Sequence, residues 1–303
     1  MTMPGPSTAA GRQTTCLVCG STELDALGGY ERFDLVCCLA CTFVFVARIP
    51  SPEELDAHYT GIYQQREEAL EWLSPVTAGR FEEWLDMMAP YRRTARILDV
   101  GCGVGQFLVQ AAGRGWEAYG TEYPENAVEI CRRHGITMAG GPLRPENYEP
   151  ESFDVVTSLG VIEHIYDPAD EVDRFHAVLR PGGLLWITTP NWSSLSRRLL
   201  RDRSYLIEVP GHLGYFAPRT LTRLLESRGF HPLNVETTGF SPTRFRCSLA
   251  GQRLTHLNEE TGDEKVRAAL ENRPALKAVK GLINTGLTVS RLGDEMKAAF
   301  VRL

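Results

Sequence analysis

The sequence predicts an α/β fold, a mostly parallel sheet covered on both faces by helices, with a small cysteine-rich module ahead of it. Three observations predict it. Strand-like and helix-like segments alternate from about residue 77 onward. The stretch Ile97-Leu-Asp-Val-Gly-Cys-Gly-Val-Gly105 reads as a buried strand that turns through three glycines into the helix-like Gln106–Ala112. Two Cys-x2-Cys pairs stand before the alternation begins.

Met1–Thr15 is rich in Pro, Gly, Ser and Thr and lacks the apolar core of a signal peptide, so a disordered tail is expected there. Residues 16–46 follow with Cys16-x2-Cys19, eighteen residues, then Cys38-x2-Cys41. That is the spacing of a four-thiolate zinc ribbon, in which the metal closes a module too small to fold by burial alone. Cys37 would leave a three-residue gap to Cys41, so Cys38 is the preferred ligand. Four cysteine ligands leave no open position, which makes the site structural; rubredoxin-like iron would use the same spacing. Thiols kept reduced point to the cytoplasm. Of the other cysteines, Cys102 lies in the glycine loop, Cys131 reads as packing on a helix, and Cys247 has no legible partner.

A helical linker is expected over 47–76, opened by Ser51-Pro-Glu-Glu54, in which serine caps, proline takes the first helical position and Glu54 completes a capping box. Phe81, Trp84, Leu85 and Met88 recur at i, i+3, i+4 and i+7, so one helix lays an apolar face on the sheet. Strands are expected near 96–101, 116–122, 136–139, 153–159 and 184–189. A helix at 168–179 starts at Asp167-Pro168 and ends before Pro181-Gly-Gly183; another runs from Pro218 to Gly229. His231–Thr238 reads as a sixth strand, and Thr261–Leu292 as amphipathic helix. A structureless loop that long is rare in a compact domain, so a helical insertion over about 247–292 is expected, as a lid or a homodimer contact.

Composition sets the outer limits. The chain has 303 residues, 43% hydrophobic and 23% charged, which suits a globular core. No apolar run approaches the ~20 residues of a membrane span, so no membrane partner is expected. A net charge of −6 provides no basic footprint and argues against a nucleic-acid partner.

Gln106 stands where a dinucleotide-binding loop would carry its third glycine, so the pattern is GxGxG and the nicotinamide reading weakens. Asp99-Val-Gly-Cys-Gly-Val-Gly105 instead resembles the cofactor loop of class I S-adenosylmethionine (SAM) methyltransferases. Trp116–Glu122 resembles that family's second strand, with Glu122 21 positions past Gly101, and Phe153–Gly160 its fourth. Val161-Ile-Glu-His164, Leu179-Arg-Pro-Gly-Gly183 and Thr189-Pro-Asn191 resemble the segments that follow. The resemblance implies a Rossmann-like, seven-stranded sheet whose last strand returns antiparallel, with Glu295–Leu303 the candidate for that strand and 77–303 the SAM-binding domain.

By the same resemblance, Asp99, Gly101, Cys102, Gly103 and Gly105 form the loop against the methionine part of SAM, and Glu122 holds the ribose. Tyr123 packs on the adenine, Leu143 touches it from the loop after the third strand, and Ser158 and Leu159 face the methyl-bearing region. SAM is already a strong electrophile, so the protein's task is to hold the acceptor in line and exclude water, with a base only where the acceptor must lose a proton.

His164 follows the fourth strand, where a Glu-His pair in ubiquinone-pathway O-methyltransferases lies beside the acceptor; it serves as general base or shapes the loop. His212 and Tyr215, in Gly211-His-Leu-Gly-Tyr-Phe216, are the other candidate acceptor contacts. Arg197, Arg198, Arg201 and Arg203 form either a solvated face or a grip for an anionic acceptor. No Asn/Asp-Pro-Pro-Tyr follows the fourth strand and no Pro-Cys nucleophile is present, which disfavours amino methylation by that route and pyrimidine C5 chemistry. The preferred reading is methyl transfer to a small-molecule hydroxyl, on a sugar or secondary metabolite. An rRNA methyltransferase using the ribbon on RNA, and a SAM-binding scaffold without turnover, are the rivals.

Overall fold

The computed structural model describes residues 11–51, 54–55, 73–251 and 274–303. Residues 1–10 of the expected tail, most of the linker and 252–273 of the expected insertion lie outside them. Residues 11–15 do not behave as a tail: Arg12 bridges to Arg48, and the Gln13 N–H donates to the Ala47 carbonyl at 2.7 Å.

A four-stranded antiparallel sheet is built from β1 (Leu24–Ala26), β2 (Leu35–Cys38), β3 (Val44–Val46) and, from far along the chain, β9 (Gly214–Tyr215). The strands between belong to the main sheet: β4 (Arg96–Val100), β5 (Glu117–Glu122), β6 (Thr137–Gly140), β7 (Phe153–Leu159) and β8 (Leu179–Pro190). β10 (Phe230–Thr238) and β11 (Glu295–Arg302) complete it. The seven run in the order β10-β11-β8-β7-β4-β5-β6. β11 is antiparallel to both its neighbours, and the β8-β7-β4-β5-β6 pairs are parallel. This is the sheet that the resemblance implies.

Helices cover the sheet: α1 (Pro75–Met88), α2 (Gln106–Gly113), α3 (Glu125–Arg133), α4 (Pro168–Val178), α5 (Leu195–Leu200) and α6 (Pro218–Glu226), followed by α7 (Pro242–Leu249) and α8 (Pro274–Ser290). Ser74 caps α1 by accepting from the Thr77 N–H at 3.1 Å. The predicted stripe Phe81, Trp84, Leu85 and Met88 is buried, with Phe81 against Phe107 (5.4 Å between ring centroids) and Trp84 against Trp186 (5.7 Å). At Ser51 the expected capping box is made in both directions: Glu54 N–H to Ser51 Oγ at 3.2 Å, and Ser51 N–H to Glu54 Oε2 at 2.9 Å.

One boundary moved. β8 starts at Leu179, not at 184, because Phe153 pairs with Leu179 and Val155 with Leu184. Arg180–Gly183, which includes the Pro181-Gly-Gly183 that ends the preceding helix in the sequence reading, is therefore a bulge within a continuing strand. Arg180 uses the bulge to reach the buried Asp154 at 2.6 Å.

Within the expected insertion, α8 is anchored at the edge strand: Thr288 Oγ1 donates to the Thr237 carbonyl at 3.0 Å, and Thr237 Oγ1 to the Leu287 carbonyl at 3.3 Å. One apolar core joins the two sheets, running from Cys16, Cys38, Cys41, Phe43 and Phe45 through Phe216 to Leu98, Val156, Leu185 and Phe300. No helix among the described residues is long and apolar enough to cross a membrane.

Candidate active site

The site lies at the carboxyl ends of the parallel strands, where an open α/β sheet leaves a crevice. On one side the chain leaves β4 and turns through Gly101, Gly103 and Gly105, with φ of +70°, +57° and +80°, a region that L side chains rarely adopt. Two of these glycines are also packed against protein. A Cβ at Gly101 would stand 2.7 Å from Val161 Cγ2, and one at Gly105 2.8 Å from Cys131 Sγ. Gly103 differs: a Cβ there would meet nothing within 4 Å. Its open face is the cradle a ligand would need.

Glu122 ends β5 and is buried. Its Oε2 accepts from the Gly103 N–H and its Oε1 from the Tyr123 N–H, both at 2.7 Å. Asp99 is buried beneath the loop, with Oδ1 accepting from Thr157 Oγ1 at 2.6 Å. Burial pushes its carboxyl up to about 7; the Thr157 hydrogen bond opposes this and the nearby Glu122 charge adds to it. Burial also pushes the Tyr123 hydroxyl up to about 12.

The other expected SAM contacts divide. The Cys102 thiol turns under the loop, 3.7 Å from the Gly103 carbonyl and 3.9 Å from Met138 Sδ, so it leaves the backbone to face the crevice. Ser158 is fully buried at the end of β7, and its Oγ has no hydrogen-bond partner among the described residues. An orphaned hydroxyl beside the loop fits a ligand that supplies the missing partner. Leu159, next along, is half-buried. Leu143, expected beside the adenine, is buried in the core.

The segment expected to face the acceptor begins two residues after β7. Val161, which packs on Gly101, leads into a 3-10 turn at Ile162–His164, so the glycine loop and the Glu163–His164 pair are adjacent. His212 arrives from the segment before β9. The His164 and His212 rings lie 4.8 Å apart, inclined at 71°. His164 Nδ1 is 2.9 Å from the Gly211 carbonyl, and His212 Nδ1 is 3.1 Å from the Leu206 carbonyl. A carbonyl only accepts, so each Nδ1 carries the proton and each Nε2 is the basic nitrogen. Glu208 Oε2 lies 3.9 Å from His212 Nε2.

Sequence reasoning did not single out Glu163, though Val-Ile-Glu-His contained it. It is 3% exposed, its Oε2 accepts from Thr189 Oγ1 at 2.9 Å, and burial pushes its carboxyl up to about 7. Ligand atoms of Glu163, His164 and His212 all lie within 4.8 Å of one another. Tyr215 packs edge-on to His212 at 6.2 Å and tilts against Trp192 at 5.2 Å, and Trp192 tilts against Tyr30 at 5.6 Å. No sequence signal joined Tyr30 or Trp192 to this wall. Of the arginine run, Arg197 stacks on Trp192 at 4.3 Å and donates to its carbonyl and to the Tyr30 hydroxyl. Arg198, Arg201 and Arg203 are exposed.

The predicted cysteines come together. Cys16 and Cys41 sulfurs are 3.5 Å apart, those of Cys19 and Cys38 3.6 Å, and all four lie within 4.8 Å. A tetrahedral zinc with bonds of ~2.3 Å would hold its sulfurs ~3.8 Å apart, so the donor set fits. Burial pushes the Cys41 thiol up to about 11 and that of Cys16 higher still; both stay protonated unless a cation offsets the charge. Cys37 stands outside the cluster, its sulfur 3.7 Å from the Cys38 carbonyl.

Comparison with known proteins bears on this geometry. A family model described as a methyltransferase domain matches residues 68–235. The ubiquinone biosynthesis O-methyltransferase of Burkholderia vietnamiensis is 34% identical over 199 residues, 59% of this chain and 80% of that protein. The enzyme of the same name from Methylococcus capsulatus is 32% identical over 181 residues, 55% and 73% of the two chains. Among solved structures, a SAM-dependent methyltransferase from Archaeoglobus fulgidus aligns with a TM-score of 0.53 at 19% identity, covering 79% of this chain and 99% of that one. A geranyl diphosphate methyltransferase bound to its substrate and sinefungin aligns at 0.52 and 17% identity, covering 75% and 78%. At these identities the solved structures show the fold alone.

Proposed function

The chain belongs to the class I SAM-dependent methyltransferases, and from that premise we propose that it methylates a hydroxyl of a small molecule, such as a sugar or secondary metabolite. SAM supplies a methyl group on a cationic sulfur. The Glu163–His164–His212 cluster beside the glycine loop is the observation that carries the reading for the acceptor. Transfer to oxygen releases the hydroxyl proton, and an imidazole Nε2 held by an anchored Nδ1 suits its removal. Glu163, buried against the same turn, would in its ionised form favour the resulting imidazolium. Tyr30, Trp192 and Tyr215 form an apolar cluster packed against His212. Relatives named as O-methyltransferases support oxygen as the methylated atom.

On the donor side, the Gly101–Gly105 loop, Glu122 and Ser158 would hold SAM, while Cys16, Cys19, Cys38 and Cys41 would hold zinc. The test is incubation of full-length protein with SAM bearing a labelled methyl group and a set of sugars, catechols and other phenols. Label in an ether-linked methyl supports the reading. Label only in added ribosomal RNA would favour the RNA enzyme, and SAM binding without transfer to any acceptor would favour the scaffold.

A further inference from the structure

We propose that the four-cysteine module is a positioning element for the acceptor half of the active site, set apart from the donor half. The proposal rests on the acceptor lying at His164 and His212. The module is joined to that half by backbone bonds. β3, which follows Cys41, pairs antiparallel with β9, Val44 facing Tyr215 and Phe45 facing Gly214. The Val46 N–H donates to the Leu213 carbonyl at 2.9 Å, and the Leu213 N–H donates to the Glu163 carbonyl at 2.8 Å. One residue thus links the cysteine module to the turn that carries Glu163 and His164, and its chain neighbour is His212.

Side chains tighten the same joint. Phe43, two residues past Cys41, packs on Phe216 at 4.8 Å. Gly214 lies between them; a Cβ there would stand 3.0 Å from Phe43 Cζ and 3.3 Å from Phe216 Cε2. Tyr30, within the cysteine loop, packs on Trp192 and accepts from Arg197. The donor half has its own supports: Gly103 and Tyr123 bond Glu122, Thr157 bonds Asp99, and Cys131 packs on Gly105. None of those bonds passes through the module. Loading the cysteines therefore sets where the two imidazoles stand, while the hydrogen bonds that hold the glycine loop lie outside the module.

The test compares full-length protein stripped by chelator with the same protein reloaded with zinc. Three readouts apply: hydrogen exchange over 160–164 and 206–216, imidazole NMR signals of His164 and His212, and SAM affinity by calorimetry. Expected on stripping are faster exchange and shifted histidine signals, with SAM affinity changed less than about twofold. Unchanged exchange and histidine signals, or SAM affinity lost together with them, would overturn the proposal.

Gly214→Ala offers a second test with the cysteines intact. It should retain zinc and SAM affinity while acceptor kcat/KM falls about ten- to a hundredfold through misplacement. Phe43→Leu added to Gly214→Ala should restore much of the loss by making room for the new methyl; no restoration counts against the proposal. The exchange and NMR readouts need no acceptor. A protein that methylates none of the hydroxyl acceptors would sink the functional reading without touching this one.

Discussion

The Gly103 amide donates to Glu122 Oε2 at 2.7 Å, tying the glycine loop after β4 to the end of β5. The other carboxylate oxygen takes the Tyr123 amide at the same distance. One acidic residue thus shapes the loop from below while standing where the ribose is expected.

Glu122→Gln should therefore act twice. An amide nitrogen would face a backbone donor on one side, and the ribose would lose a charged acceptor. Hydrogen bonds to charged groups contribute about 1.5–3 kcal/mol, so the SAM Kd should rise roughly ten- to a hundredfold. Isothermal calorimetry reads this directly; an unchanged Kd would remove Glu122 from the binding site.

His164→Ala, His212→Ala and Glu163→Gln should separate chemistry from cofactor binding. Loss of a positioned base costs about 10²–10⁴ in turnover. SAM affinity should stay within about twofold, since the hydrogen bonds that hold the glycine loop, Gly103 to Glu122 and Thr157 to Asp99, involve none of the three residues. Single-turnover kinetics with labelled SAM measures the first and calorimetry the second. Full turnover in all three variants would return these residues to a loop-shaping role.

Asp99 predicts a pH dependence of stability. Its folded pKa is raised to about 7, chiefly by burial, against about 4 in an unfolded chain. Below about pH 4 both states hold the proton. As pH rises toward 7 the unfolded chain releases it first, so the folded state binds more protons and stability falls across that window. Glu163 and Glu171 are raised to about 7 by burial as well and add in the same sense. Asp99→Asn keeps an acceptor for Thr157 and removes one titration, so its Tm should fall less between pH 4.5 and 7.5, as about one carboxyl's share of the slope. A Tm profile parallel to that of the parent would contradict the assignment.

Gly105→Ala should destabilise the glycine loop by about 1–3 kcal/mol, because φ is +80° and the new Cβ meets Cys131 Sγ and Ile136 Cδ1 at 2.8 Å. Adding Cys131→Ala relieves one of the two close contacts but neither the Ile136 contact nor the dihedral, so chemical denaturation should show partial recovery. Complete recovery would mean that the backbone conformation contributes nothing.

Cys19→Ser or Cys38→Ser should reduce bound zinc from about one equivalent to well below it, measured by plasma emission spectrometry. Cys37→Ser should not, since its sulfur turns away from the cluster toward the Cys38 carbonyl.

Much of the fold was legible because its signals are local. The strand and three-glycine turn at 97–105, the apolar stripe on α1 and the two Cys-x2-Cys pairs each state their chemistry within a few residues. Capping at Ser51 and Glu54 could be read in the same way, since donor and acceptor sit three positions apart. The bulge at Arg180–Gly183 could not: proline and two glycines signal a turn, and only pairing with β7 carries the strand through them.

The candidate site divides along the same line. The glycine loop and its acidic partner were legible as spaced motifs. His164 and His212 stood out as residue types, but nothing local brought their rings within 4.8 Å or chose Nδ1 as the anchored nitrogen on each. Those facts come from the carbonyls of Gly211 and Leu206, and from β9 pairing with β3. A two-residue strand has almost no propensity of its own, so it forms only where a distant edge supplies its hydrogen bonds. Burial likewise separates Glu163 from the exposed glutamates of the chain, and burial belongs to the packed core rather than to any short stretch of residues.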